Sequence, residues 1–136
     1  MSLSTNKALV KSFVEEVFNN HDILAVEKYF DRENPLIGNE GFKQSLSAQF
    51  NAFPDIQTKI EHIVAENDLV VVFLSFTGTH KGEFRGMPPT NKKVSIRSAD
   101  LYRIENKKIV EHWDVVDQLN LLQQTGAITF DKLNTK

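Results

Sequence analysis

The sequence predicts an α+β fold: N-terminal helices packed on a strongly curved antiparallel sheet, cone-shaped with an internal cavity. Three observations predict it. Apolar residues recur at three- and four-residue steps as far as Phe53. Beyond Pro54 the period becomes two. The later apolar runs are separated by short polar turns, which join antiparallel neighbours, since parallel strands need long crossovers.

The first helix is expected over residues 4–20. Ser4 or Thr5 can cap it, and Val10, Phe13, Val14, Val17 and Phe18 form its apolar stripe. Asn19-Asn20-His21 ends that run. Asp22 can cap a second, short helix whose inner face is Ile23, Val26 and Phe30. Asn34-Pro35 and Gly38 mark a loop. Phe42, Leu46, Phe50 and Phe53 space a third helix from about Glu40 to Phe53, and Pro54 stops it.

The first strand alternates Ile56, Thr58, Ile60, His62 and Val64 with Gln57, Lys59, Glu61 and Ile63. Glu66-Asn67-Asp68 is a turn. Leu69 to His80 is a long run, apolar on both parities at its start, which suits a strand covered on both faces there. Gly82, Gly86, Pro88 and Pro89 make a loop. The next strand puts Val94, Ile96, Ser98, Asp100, Tyr102 and Ile104 on one face and Ser95, Arg97, Ala99, Leu101 and Arg103 on the other. Glu105-Asn106-Lys107 is a hairpin turn, and Ile109 to about Val116 is the last strand. Gln118 to Gln124 is a short helix, with Gly126 placed for its C-terminal cap.

With 136 residues the chain reads as one domain, its core about 8–126 and a flexible tail about 127–136. It has no cysteine, which removes disulfides, thiolate zinc sites and a cysteine nucleophile. Lys plus Arg number 16 against 18 Asp plus Glu, so no basic excess exists to hold nucleic acid. No apolar run reaches the length of a membrane span, and MSLSTNK carries no signal-peptide core, so a cytoplasmic protein is expected. Ten Phe stand against two Tyr and one Trp. Phe has no polar handle, which fits either a dry core or the wall of an apolar pocket. There is no HxxxH or HxH pair, no G-x-S-x-G elbow and no glycine-rich phosphate loop.

Two long segments carry a specific resemblance: TGTHKGEFRGMPPTNKKV, residues 77–94, and SADLYRIENKKIVEHWDVVDQLNLLQQTG, residues 98–126. With EGF at 40–42 and FPD at 53–55, they make roughly residues 8–126 resemble the SnoaL-like polyketide cyclases of the nuclear-transport-factor-2-like superfamily. The resemblance implies the α+β cone, dimerisation through the outer sheet face, and ring closure by intramolecular aldol condensation on a polyketide; for this chain the expected substrate is a small hydrophobic molecule, closed into a ring or isomerised. It implies no cofactor, metal or Schiff base. The family's acid/base Asp near the end of the last strand maps onto Asp117. Where the family commonly has His-Asn-Pro, this chain has Glu33-Asn34-Pro35, a carboxylate in place of an imidazole. The family's glycines in two turns are here Asn91 and Lys107, the latter within Asn106-Lys107-Lys108-Ile109. Asn tolerates the left-handed backbone such turns need.

Strand parity then sorts the candidates. Asp117 shares parity with Ile109, Trp113 and Val115, so it is expected inward as a desolvated acid/base, or else as the N-cap of the last helix. Asp100 sits mid-strand on the apolar parity, where a carboxylate needs a partner or a proton; a salt bridge and a ligand contact are both open. His80 ends its strand on the parity of Phe76, at a pocket mouth or satisfied by backbone. Phe76, Tyr102 and Trp113 are expected as pocket walls, and Glu33 and Asn34 as polar groups beside them. His112 and Asp114 fall outward unless a bulge intervenes. The two-sided apolar run Leu69–Phe73, with Val110 and Val116 outward, is expected to pair two copies of the chain. A ligand-binding or oligomerisation domain of the same fold, without catalysis, is the alternative.

Overall fold

The computed structural model describes residues 2–31 and 39–128. Helix α1 (Leu3–Phe13) begins at Ser2, upstream of the expected cap, where the Ser2 Oγ accepts the Thr5 amide at 3.0 Å. The expected stripe from Val10 to Phe18 is buried. Its last turn, Val14–Asn19, widens to π-helical bonding. There the Asn19 side chain meets the sheet: its Nδ2 donates to the Thr58 carbonyl at 2.9 Å, and its Oδ1 accepts the Thr58 amide at 2.7 Å. Asp22 caps a tight turn, Ile23–Ala25, that leads into the short helix α2 (Val26–Tyr29). Phe30 then forms a parallel bridge with Ile109. Helix α3 (Asn39–Ala52) follows and ends before Pro54.

Four strands come next: β1 (Gln57–Glu66), β2 (Leu69–Thr79), β3 (Lys93–Glu105) and β4 (Lys108–Val116). They pair antiparallel in the order β1-β2-β3-β4, as a curled sheet that does not close. Helix α4 (Gln118–Thr125) ends at Gly126, whose φ of +86° makes the left-handed cap expected of it. Asn91, Asn106 and Lys107 all take positive φ, so the turns lacking the family's glycines keep their shape.

Two bulges break the strict alternation of inner and outer residues. In β1 the register shifts between Ile60 and His62, so Ile60 pairs with Leu74 but His62 with Phe73. Ile63 thereby turns inward, while His62 and Val64 turn out. In β4 Ile104 pairs with Ile109 but Arg103 with Glu111, leaving Val110 as the extra residue. Were the pairing regular, with Val110 opposite Arg103, the two-residue turn at Asn106-Lys107 would set Glu111 opposite buried Tyr102. Such an unpaired buried charge costs about 3–5 kcal/mol. An interrupted pair of ladder hydrogen bonds costs less, on the order of 1–3 kcal/mol. The bulge instead lets Glu111 accept from Arg103 Nε at 2.9 Å, while Arg103 Nη1 reaches both Asp68 oxygens at 2.8 and 2.9 Å. Ile109 and Val110 are then both buried.

From the bulge onward the parity of β4 is opposite to the expected one. His112, Asp114 and Val116 pair with the buried Tyr102, Asp100 and Ser98, and point inward. Trp113 and Val115 point outward and are 51% and 74% exposed. Val110 and Val116 therefore do not belong to the outer apolar face. That face carries Val64, Phe73, Trp113 and Val115.

One end of the core is filled by aromatic rings. Phe13 lies 5.5 Å from Phe18, Tyr29 and Phe30, 5.7 Å from Tyr102 and 6.2 Å from Phe42. Most contacts are edge-on or tilted, the arrangement ring quadrupoles favour. No helix among the described residues is long and apolar enough to cross a membrane.

Candidate active site

Between α3 and the inner face of β2, β3 and β4 lies a cleft of about 240 Å³, beside a smaller chamber of about 90 Å³. Ser45, Gln49, Phe76, Ile96, Asp114 and Val116 border both. The outer cleft is rimmed by Glu83, Phe84 and Arg85 on one side and Gln118 of α4 on the other. Phe18, Phe42 and Leu46 wall the inner chamber, and Ser98, Asp100 and His112 bring its polar atoms.

Asp100 is 4% exposed and well supplied with donors. The Ser98 hydroxyl donates to its Oδ1 at 3.2 Å and the Tyr102 hydroxyl to its Oδ2 at 3.2 Å. His112 Nε2 stands 3.4 Å from the same Oδ2. The His112 ring stacks on Tyr102, with centroids 4.6 Å apart and planes 3° from parallel, and meets the edge of Phe42. Burial, and next the charge of Asp100, push the Tyr102 phenol well above its ordinary pKa. Tyr102 therefore stays protonated and remains a donor. No arginine or lysine among the described residues satisfies Asp100; two hydroxyls and an imidazole do.

Asp114 pairs with Asp100 across β3 and β4 and is open to solvent through the cleft. No donor among the described residues binds its carboxylate. Asp117, three residues on, lines neither chamber. Its Oδ1 accepts the Asn120 amide at 3.2 Å, which makes it the N-cap of α4, and its own amide donates to the Arg97 carbonyl. The parity that pointed Asp117 inward is lost at the Val110 bulge, and the capping alternative is the geometry found.

The other expected site residues divide. Phe76 borders both chambers, and Tyr102 lies beneath Asp100 as a buried donor. Trp113 is not a pocket wall, because the bulge turns its indole to the outer face. His80 is fully buried behind Phe53 rather than at the mouth. Its Nδ1 pairs with Thr90 Oγ1 at 3.0 Å, and its backbone bonds Lys92 and Asn91, closing the base of the 81–92 loop. Glu33 and Asn34 lie outside the described residues. Parity alone missed His112 and Asp114, and the rim residue Arg85 gave no periodic signal. The inward charge that unbroken alternation forces on Glu111 was the sequence sign of the bulge. Among the described residues no three His, Asp or Glu side chains converge to hold a metal ion.

The profile of the SnoaL-like polyketide cyclases matches residues 8–125. Over 57 residues the chain is 39% identical to nogalonic acid methyl ester cyclase of Streptomyces nogalater, a match spanning 42% of each protein. Among solved structures, AclR of Streptomyces galilaeus, a proposed hydroxylase, superposes with a TM-score of 0.84 at 31% identity, over 93% of this chain and 84% of that one. A proposed polyketide cyclase from Acidithiobacillus ferrooxidans superposes with a TM-score of 0.79 at 27% identity, over 95% of this chain and 100% of that one.

Proposed function

Because the chain belongs to the SnoaL-like polyketide cyclase family, we propose that it moves a proton alpha to a carbonyl in a small, largely apolar molecule and so closes a ring. Asp114, not Asp117, is the acid/base group of this reading. The observation that carries it is the contrast between two facing carboxylates. Asp100 is engaged by Ser98, Tyr102 and His112, whereas Asp114 lines both chambers with no donor among the described residues. A carboxylate must have a free lone pair to take a proton.

In the proposed reaction an Asp114 oxygen removes the alpha proton. The enolate carbon then adds to a second carbonyl carbon of the same molecule, forming the new C–C bond. The resulting alkoxide takes the proton back from Asp114. Atoms and electrons balance within the substrate, so these steps require no cofactor. Phe18, Phe42 and Phe76 supply apolar wall for the substrate body, and Gln49 borders both spaces.

The test is exchange and cyclisation in D₂O with nogalonic acid methyl ester and the corresponding free acid, followed by mass spectrometry and chromatography. Deuterium should enter the alpha carbon faster than its spontaneous rate only with active protein. D114N should lower the rate by ~10²–10⁴-fold, the usual worth of general acid–base catalysis, with an unchanged melting temperature. A D114N rate equal to the parent rate would remove Asp114 from the chemistry. Saturable binding with exchange at the spontaneous rate would leave a ligand-binding protein instead.

A further inference from the structure

We propose that Arg85 recognises a carboxylate on the substrate at the cleft mouth, so that the preferred molecules are apolar acids rather than their neutral esters. The inference rests on the cleft being the substrate site and adds the chemical class of what enters it.

Arg85 occupies an unfavourable backbone position. Phe84 and Met87 exchange amide–carbonyl hydrogen bonds at 3.0 and 2.9 Å, and the two residues between them, Arg85 and Gly86, have φ of +50° and +82°. Left-handed backbone at both central positions defines a type I′ turn, which favours Asn, Asp or Gly first. Arginine gives up conformational energy there, and strain of this kind gathers at functional sites.

The turn is also held firmly. The Lys81 and Gly82 amides both donate to the Ala52 carbonyl, at 2.9 and 3.1 Å. A Cβ on Gly82 would stand 2.2 Å from the Asn51 carbonyl oxygen, so only glycine permits this approach to the end of α3. Phe84 sets its ring edge on Phe53. The guanidinium is thereby presented at the rim, 5.1 Å over the Phe84 ring, with Nη1 donating to Gln118 Oε1 at 3.2 Å.

The charge at that rim is unbalanced. Arg85 is the one lysine or arginine among the described residues lining either chamber, whose carboxylates are Glu83, Asp100 and Asp114. No ion pair within 4.0 Å engages Arg85 among the described residues; its partner is a neutral amide. A carboxylate taking the place of the Gln118 oxygen would convert that bond to a charge-assisted, two-pronged one. The acidic inner wall repels an anion from the chamber, so the apolar body enters and the carboxylate stays at the mouth.

The test is fluorescence titration with 2-naphthoate, methyl 2-naphthoate and 2-naphthyl phosphate, on the parent protein and R85N. Asparagine suits the left-handed turn, so R85N should melt at or above the parent temperature. In the parent, 2-naphthoate should bind roughly tenfold tighter than its ester, the advantage should shrink with added salt, and R85N should abolish it. Equal binding of acid and ester overturns the proposal while leaving the cleft reading intact. So does an acid preference that survives R85N, or a preference for the phosphate over the carboxylate. Failure of all three probes to bind overturns both readings.

Discussion

Asp114 and Asp117 stand three residues apart in one strand-to-helix junction, and what each carboxylate touches separates their roles. Asp117 is fixed by the Asn120 amide, so its loss is a loss of helix capping. D117A should destabilise the protein by about 1 kcal/mol and D117N by less, because an amide oxygen still caps. Both should turn over substrate within a few-fold of the parent rate. Melting curves and kcat on the same preparations check this, and a D117N protein with normal melting but no turnover would restore Asp117 to the chemistry. The capping role was legible in the sequence from Asp117 directly preceding Gln118-Leu119-Asn120. The burial of Asp100 was legible from its place between Ser98 and Tyr102 on the apolar parity. Its partners were not, since a stacked histidine from the next strand depends on register. Of the two places left open for His80, the packed interior rather than the pocket mouth is the one found: its parity was right, but parity does not tell a cavity from a packed interior.

At the scale of elements, helix spacing was read well because it depends on neighbours three or four residues away, although the first helix is capped by Ser2 rather than by Ser4 or Thr5. Asp22 and Gly126 cap as their positions suggest. Strand faces were read well only up to a bulge, since one extra residue inverts everything beyond it. In β3, which has no shift in its pairing with β2, the buried residues alternate as the sequence implies. In β4 Val110 reverses the assignment of His112, Trp113, Asp114, Val115 and Val116 together. Deleting Val110 should therefore close the bulge without moving the faces beyond it: Glu111 would follow Ile109 and still pair with Arg103, and Asp114 would still pair with Asp100. The expected cost is that of one buried valine, about 1.5–3 kcal/mol, with turnover kept. Chemical denaturation gives the stability, and a deletion variant that folds but has lost turnover would show that the strand beyond the bulge does not keep this register.

At the scale of the molecule, the Phe excess builds a packed hub around Phe13, and Phe18, Phe42 and Phe76 also border the inner chamber. The outer face of the sheet is left with Val64, Phe73, Trp113 and Val115 largely uncovered. We propose that a second copy of the chain covers it. Light scattering at micromolar concentration should give a dimer mass, and W113E should shift it toward the monomer by placing like charges across a two-fold contact. A monomer mass for the parent would rule the arrangement out. The sheet's two free edges are protected by different means. On β4, Phe30 bridges Ile109; on β1, a single side-chain amide imitates a strand at Thr58. That guard has a single point of failure. Any change that removed the Asn19 Nδ2 donor would leave the Thr58 carbonyl without it, baring a length of edge backbone of the kind that recruits other chains into aggregates.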